Sequence, residues 1–330
     1  MTWPHPLGDW EENLHAAQEC FARIGAAVSQ DQQLLCVVLD AAHEERVRDL
    51  LRQHRARLSN CQFFRVPSDD SWARDHGPLT VAGPDGWHLL DFHFNGWGGR
   101  HPARQDNQIT RTLAEQGAFG ATRLEQPELT LEGGAIDTDG DGSFLIRRPT
   151  LEDEHRNPGL DRKEIERALG YWLGARKIHW LESGDLAGDD TDGHIDTLAR
   201  FAPDNRILYQ GCEDPRDPHY EPLMRMAEEL QGFRDIHDRP AQCISLPLPD
   251  AIHDREGRRM PAGYANFLVT HRKLLMPTYD DPADTIAAER IAQAFPDREI
   301  VGIDCRALVR QGGSLHCVTM QYPPDVVTSP

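Results

Sequence analysis

Basic residues are scarce in this chain of 330 residues: 35 lysines and arginines face 54 aspartates and glutamates, a net charge of −19 with histidines neutral. Phosphate backbones are bound by basic faces, so this balance argues against a nucleic-acid partner. It suits a small cationic substrate, which a negative field concentrates near a cleft. No apolar run approaches the ~18 residues that a membrane span needs, so no membrane partner is expected. Met1 to Trp10 lack both a basic start and an apolar core, and no signal peptide is expected. Cysteine occurs seven times, an odd number, and never as Cys-x-x-Cys. That argues against a disulfide framework or a zinc ribbon and fits a reducing, cytoplasmic setting. There is no His-Glu-x-x-His, and no third ligand stands at helical or strand spacing from His194 and Asp196, so no metal is expected. Nothing marks a linker; the Pro- and Asp-rich stretch Glu213 to His219 reads as a loop before a helix. A single domain over residues 1–330, 39% hydrophobic, is the expectation.

What is present repeats. Leu34 to Leu39 is an apolar, β-prone run; Val47, Leu50, Leu51, His54 and Leu58 then share one helical face, and Cys61 to Val66 reads as a second strand. Similar first strands begin near Trp87, Ser143, Arg206 and Arg272, at steps of 53, 56, 63 and 66 residues. In the third unit Ile165, Ala168, Leu169, Trp172 and Leu173 form a stripe. In the fifth, Ile286, Ala287, Ile291, Ala294 and Phe295 do so before Pro296 stops the helix. Five strand–helix–strand units of α/β type result, each too small to cover both faces of its own sheet. On pattern alone a ring of repeats and an ordinary α/β domain fit equally well.

The chemistry-bearing residues follow the second strand of each unit. They are Ser68 to Pro78, Leu131 to Ile136, Gly188 to Asp196, Gly263 to Phe267, and Gly312 to Cys317. In a ring these five segments would converge. His194-x-Asp196 has the period-two spacing that puts both side chains on one face of a strand. Gly312-Gly313 lets backbone N–H groups approach a ligand next to Cys317. Cysteine with histidine outlines nucleophilic catalysis. The carboxylates around them, Asp75, Glu132 and Asp196, would raise a thiol pKa and repel an oxyanion, which disfavours a protease or esterase. They suit a substrate bringing its own positive charge, because carboxylates hold the N–H fork of a guanidinium bidentately.

The motifs resemble those of the agmatine deiminase family, in the guanidine-modifying superfamily that also holds arginine deiminases and bacterial peptidylarginine deiminases. They run in order along the chain: Trp-x-Arg-Asp-x-Gly-Pro from Trp72, Phe-Asn-x-Trp-Gly-Gly from Phe94, Glu-Gly-Gly from Glu132, Arg-Asn-Pro from Arg156, Gly-His-x-Asp from Gly193, Tyr-x-Asn-Phe from Tyr264 and His-Cys-x-Thr-x-Gln from His316. The resemblance implies a five-bladed, pseudo-symmetric α/β propeller around one central site, no cofactor, and a homodimer. It implies that Cys317 is the nucleophile and His194 the general acid/base, that Asp75 and Asp196 grip the guanidinium, and that Glu132 orients the histidine. Trp72, Asn266, Asp190, Gly312 and Gly313 would bind substrate. The implied reaction hydrolyses agmatine to N-carbamoylputrescine and ammonia through a thiouronium on Cys317, a step of polyamine biosynthesis; the alternative is an arginine or C-terminal peptidyl-arginine deiminase. Departures fall near the substrate tail: Gly313-Ser314-Leu315 replaces the usual Gly-Gly-Asn with an aliphatic residue, Gly263 replaces Ser or Thr, and Arg100 replaces Lys. Arg100, His101 and Arg104 offer cations to a carboxylate, which agmatine lacks.

Overall fold

The computed structural model describes residues 1–10 and 12–328. Helix α1 (Leu14–Ser29) precedes strand β1 (Leu34–Val38), helix α2 (Ala41–Gln53) and strand β2 (Cys61–Arg65), and the two strands pair in parallel as the first of five separate sheets. The other four sheets share one plan, in which a short strand runs antiparallel to a central strand and the central strand pairs in parallel with a third. They comprise β3 (Leu79–Gly83), β4 (Gly86–Leu90) and β5 (Arg123–Glu125), then β6 (Ile136–Thr138), β7 (Ser143–Arg147) and β8 (Lys177–Leu181). Next come β9 (Ala199–Ala202), β10 (Arg206–Gln210) and β11 (Gln242–Leu246), and last β12 (Leu268–Val269), β13 (Lys273–Thr278) and β14 (Glu299–Asp304). A parallel pair cannot be joined by a tight turn. Each crossover therefore carries a helix: α3 (Ile109–Glu115), α4 (Arg162–Leu173), α5 (Tyr220–Gln231) and α6 (Ala283–Ala294) in the second to fifth sheets.

Central strands begin at Leu34, Gly86, Ser143, Arg206 and Lys273, each within one residue of its expected start. The strands β3, β6, β9 and β12 are absent from the sequence expectation, because runs as short as Leu268–Val269 hold no readable alternation. Helix α4 has the strongest local signals. Asp161 and Glu164 cap its start reciprocally, and Gly174, at φ +69°, ends it in the left-handed conformation. Helix α2 stops short of the expected stripe. Arg55 at φ +61° turns the chain out after His54, so Leu58 opens a separate single turn, Leu58–Asn60. Phe295 likewise lies just beyond α6.

β1 is buried along its whole length, as a strand covered on both faces must be. The largest apolar cluster runs from Trp3, Trp10 and Phe21 through Trp72 and Trp97 to Phe267, Leu315, Cys317 and Val318. The site residues Trp72 and Cys317 are therefore part of the packed core, where side chains sit in fixed rotamers. No helix among the described residues is long and apolar enough to cross a membrane.

Candidate active site

The loops that follow β2, β5, β8, β11 and β14 meet. From the first, Asp75 accepts a hydrogen bond on Oδ1 from the Gly134 N–H of the second at 3.0 Å, and the same oxygen lies 3.5 Å from Nδ1 of His194 in the third. From the fourth, Asn266 donates through Nδ2 to the Asp196 carbonyl and to Cys317 Sγ of the fifth, both at 3.3 Å. Cys317 Sγ lies 3.8 Å from Asp196 Oδ2. A cavity of about 320 Å³ opens onto Cys317, His194, Asp75, Trp72, Asp190, Gly312 and Gly313. Of the expected site residues, Glu132, Asp196 and Asn266 are not among its lining residues and are fully or nearly fully buried.

Glycines make this convergence sterically feasible. A Cβ on Gly134 would stand 2.6 Å from His194 Nδ1, 2.8 Å from Asp75 Oδ1 and 3.3 Å from Asp196 Oδ1. One on Gly313 would reach 2.2 Å from the Trp72 ring. Trp72 itself is pinned through Nε1 to Asp70 at 2.9 Å and packs on Trp10 with ring centroids 5.4 Å apart.

Two expectations about this site need correction. His194 and Asp196 do not share a strand. Asp192 (φ +67°) and Gly193 (φ +84°) reverse the chain before His194, Ile195–Thr197 form a single tight turn, and β9 begins only at Ala199. Glu132 does not hydrogen-bond His194. Its Oε1 accepts from Arg156 Nε at 2.8 Å, and Oε2 has no partner among the described residues. The carboxylate nearest the imidazole is that of Asp75.

The cations near the tail are also redistributed. Arg100 donates to Asp192 Oδ1 at 2.6 Å and to the Asp190 carbonyl, and it does not line the cavity; neither does Arg104. His101 lines it and lies 3.2 Å from Asp190 Oδ2. Arg258 lines it too, paired with Asp254 at 2.6 Å. Arg310 lines it with no carboxylate within ion-pair distance among the described residues, and no motif pointed to it.

Sequence reasoning also missed four supporting residues. Trp97 donates from Nε1 to Asp75 Oδ2 at 3.0 Å, held there by a strained turn in which Trp97 itself has φ +54° between Gly96 and Gly98. Arg74 is buried beside the site, and its guanidinium donates to Gln321 Oε1. Arg200 bonds Asp137 Oδ1 at 3.1 Å and the Phe267 carbonyl at 2.8 Å. His316 bonds Asp196. Trp97, Arg74 and His316 stand inside motifs quoted above; nothing local marks Arg200.

Burial and like charges set the ionisation. Burial, then Asp196 and Asp75, push the Cys317 thiol well above its ordinary range. Burial and the Asp196 charge raise Asp75 as well, against the donations of Trp97 and Gly134. Asp196 is pushed up to about 6 by burial, opposed by the charges of Arg200 and Arg74. Burial and Arg156 hold His194 well below 6.5, so it is a neutral imidazole at neutral pH. Among the described residues no group of three or more His, Cys, Asp and Glu is arranged to hold a metal ion.

One test follows directly. With no guanidinium bound, less than about 3% of Cys317 should be thiolate at pH 7, the fraction that an unperturbed thiol of pKa ~8.5 would show. Because the shift is upward, iodoacetamide labelling of the Cys317 peptide, read by mass spectrometry, should climb steeply only on the alkaline side. Full reactivity near pH 6 would instead indicate a thiolate–imidazolium pair.

A buried thiol, a neutral imidazole and two buried aspartates with no lysine or arginine in ion-pair contact among the described residues, on a multi-sheet α/β scaffold, define a guanidine-modifying, thiol-dependent class of enzyme. The chain belongs to the Porphyromonas-type peptidyl-arginine deiminase family, whose model matches residues 1–323. It is 32% identical over 343 residues to a Vibrio parahaemolyticus protein provisionally named an agmatine deiminase, covering 98% of this chain and 93% of that one. Its fold matches a C. jejuni agmatine deiminase, a cysteine-to-serine variant with substrate bound, at 35% identity and TM-score 0.88 over 96% of this chain and 90% of the other. It matches a Porphyromonas gingivalis protein provisionally titled an arginine deiminase at 42% identity and TM-score 0.92, covering 99% and 95%.

Proposed function

We propose that this chain is a deiminase that hydrolyses agmatine to N-carbamoylputrescine and ammonia, a step of polyamine synthesis. The observation that carries the reading is the placement of Cys317 against Asp196, with Asp75 also raising its pKa: a thiol so placed attacks a carbon that arrives with positive charge. Guanidinium docks through its N–H groups on Asp75 and Asp196, and its charge offsets theirs, so Cys317 ionises and its proton passes across the cavity to the neutral His194. The thiolate attacks the central carbon and gives a tetrahedral adduct. His194 delivers a proton to one nitrogen, which leaves as ammonia, and a thiouronium stays on Cys317. His194 then takes a proton from water as it attacks the same carbon, the C–S bond breaks, and thiol and ureido product are released. Trp72, Asp190, Gly312 and Gly313 line the substrate pocket, Asn266 supports it by bonding Cys317 and Asp196, and Glu132 acts by holding Arg156. The five sheets, each followed by one site loop, support a five-bladed ring in a single catalytic domain over 1–330. A cytoplasmic homodimer is part of the same reading.

The tail decides between agmatine and its competitors. Asp190 sits at the cavity with Asp189 and Asp70, which suits the far ammonium of agmatine. A second reading has its own observation: Arg310, at the same cavity with no carboxylate within ion-pair distance among the described residues, suits the carboxylate of arginine or of a peptide ending in arginine. On the first reading agmatine should exceed both in kcat/KM by about 100-fold, since a desolvated carboxylate without a partner costs a few kcal/mol. Arg310→Ala should then leave agmatine turnover within about twofold. The measurement is colorimetric ureido product from the three substrates with wild type and variant. If arginine or the peptide is faster, and Arg310→Ala selectively slows it, the agmatine assignment falls and the deiminase chemistry stands.

A further inference from the structure

Asp196 is fully buried, and its two oxygens are not equivalent. Oδ2 lies 2.7 Å from His316 Nδ1 and 3.8 Å from Cys317 Sγ. Oδ1 has no partner among the described residues and lies 3.3 Å from where a Gly134 Cβ would stand. An ionised carboxylate only accepts, so the short contact puts the proton of His316 on Nδ1. Nε2, buried and without a partner among the described residues, is the bare nitrogen.

His316 has little freedom to do otherwise. Its own N–H bonds Asn266 Oδ1 at 2.8 Å, its carbonyl accepts from Thr319 Oγ1 at 3.0 Å, and Asn266 in turn holds the Asp196 carbonyl. Burial together with the charges of Arg200 and Arg74 keeps the imidazole well below 6.5. The difference matters, because an imidazolium would cancel the charge of Asp196, whereas a neutral N–H donor orients the carboxylate and leaves that charge for the substrate.

We propose that His316 is a positioning residue: its Nδ1–H ties down Oδ2 of Asp196 and leaves Oδ1 as the acceptor for a guanidinium N–H. The inference rests on the deiminase reading and deepens it. Other charges acting on Asp196 are Arg74 and Arg200, which favour its ionised form, and Asp137, Asp189, Asp75 and the Cys317 thiolate, which oppose it.

The test compares His316→Asn, which keeps a side-chain N–H near the position of Nδ1, with His316→Leu, which has none. Steady-state agmatine turnover is followed from pH 5 to 9. His316→Leu should lose about 100-fold in kcat/KM with a raised KM. Its acid limb should move about one pH unit upward, because a carboxylate that loses a donor to its charged form is protonated more easily. His316→Asn should recover to within about tenfold of wild type with the limb restored. Equal loss in both variants, or a loss in His316→Leu with an unmoved limb, overturns the proposal. A second arm does not depend on activity or on the variants' folding. ¹⁵N-histidine NMR of the wild-type chain should show a neutral imidazole protonated at Nδ1 from pH 7 to 9, where Asp196 is ionised, for the histidine nearest Asp196. An Nε2–H tautomer or an imidazolium there overturns it. If the wild type converts no guanidine at all, the deiminase reading falls, while the NMR result still decides the His316–Asp196 bond.

Discussion

Replacing Cys317 by serine should lower ureido production by at least about 10⁴-fold while leaving guanidinium binding nearly intact. The two halves of that expectation come from different atoms. Attack needs the sulfur, because a serine hydroxyl in the same place has no base to ionise it: the groups next to Sγ are the Asn266 amide and a carboxylate oxygen of Asp196 already taken by His316. Binding needs the carboxylates, and the short hydrogen bonds that hold their oxygens do not run through the Cys317 sulfur. Asp75 stays held by Trp97 and the Gly134 N–H, Asp196 by His316. Titration calorimetry with agmatine on the serine variant should therefore give saturable binding, and wild-type enzyme quenched in acid during turnover should carry the substrate adduct on the Cys317 peptide. A serine variant that keeps a tenth of the wild-type rate would rule out covalent catalysis by this residue.

Much of this site is legible in the sequence because each of its parts lies on a loop after a parallel strand, where short motifs with glycine stand out. Gly312-Gly313 is readable as a close approach even before one knows that Trp72 is the neighbour of Gly313, whereas the contact of Gly134 with His194 and Asp75 shows only in the fold. The site's electrostatic support is not legible in the same way. Arg200 belongs to no local pattern and reaches the site across a sheet edge, bonding Asp137, 63 residues earlier, and the Phe267 carbonyl, 67 residues later. Arg100 reads as a free cation beside the motif Phe94 to Gly99, yet it is consumed by Asp190 and Asp192, 90 and 92 residues on. Arg310 shows the converse: an ordinary residue in sequence that the fold brings to the cavity with no ion-pair partner among the described residues. Spacing alone misassigned His194 and Asp196 to a strand because positive φ at Asp192 and Gly193 overrides the period-two pattern. Local propensity wrote the central strands; pairings distant in sequence decide which charges remain available.

Arg156 should prove the most costly single side chain to remove for stability, although it does not line the cavity. Its guanidinium is fully buried and donates to Glu132 Oε1 at 2.8 Å, to Asp192 Oδ2 at 2.7 Å, to Asp153 Oδ2 at 2.9 Å and to the Thr191 carbonyl at 3.0 Å. One planar fork thus joins the Glu132 loop to the acidic loop that leads into His194. Arg156→Met leaves the buried Glu132 without its cation, and breaking a buried pair in this way costs about 3–5 kcal/mol, a fall in Tm of about 4–7 °C for a chain of this size. Arg156→Lys should recover only part of it, since a point charge cannot serve three carboxylates and a carbonyl together. The sign of the pH dependence follows from Glu132. Burial already raises it above its ordinary range, against the pull of Arg156. Without that pull it rises further, while in the unfolded chain it ionises near pH ~4.3. Ionisation above that value favours the unfolded form of both proteins, but wild-type Glu132 is itself raised, so the variant's deficit should grow only above the wild-type residue's own native pKa, toward neutrality, and narrow again on acidification. Scanning calorimetry of both proteins from pH 4 to 8 reads this directly. Adding Glu132→Gln to Arg156→Met should flatten the pH dependence and return part of the Tm; a deficit that stays constant across the range would show that the lost stability is packing rather than an uncompensated charge.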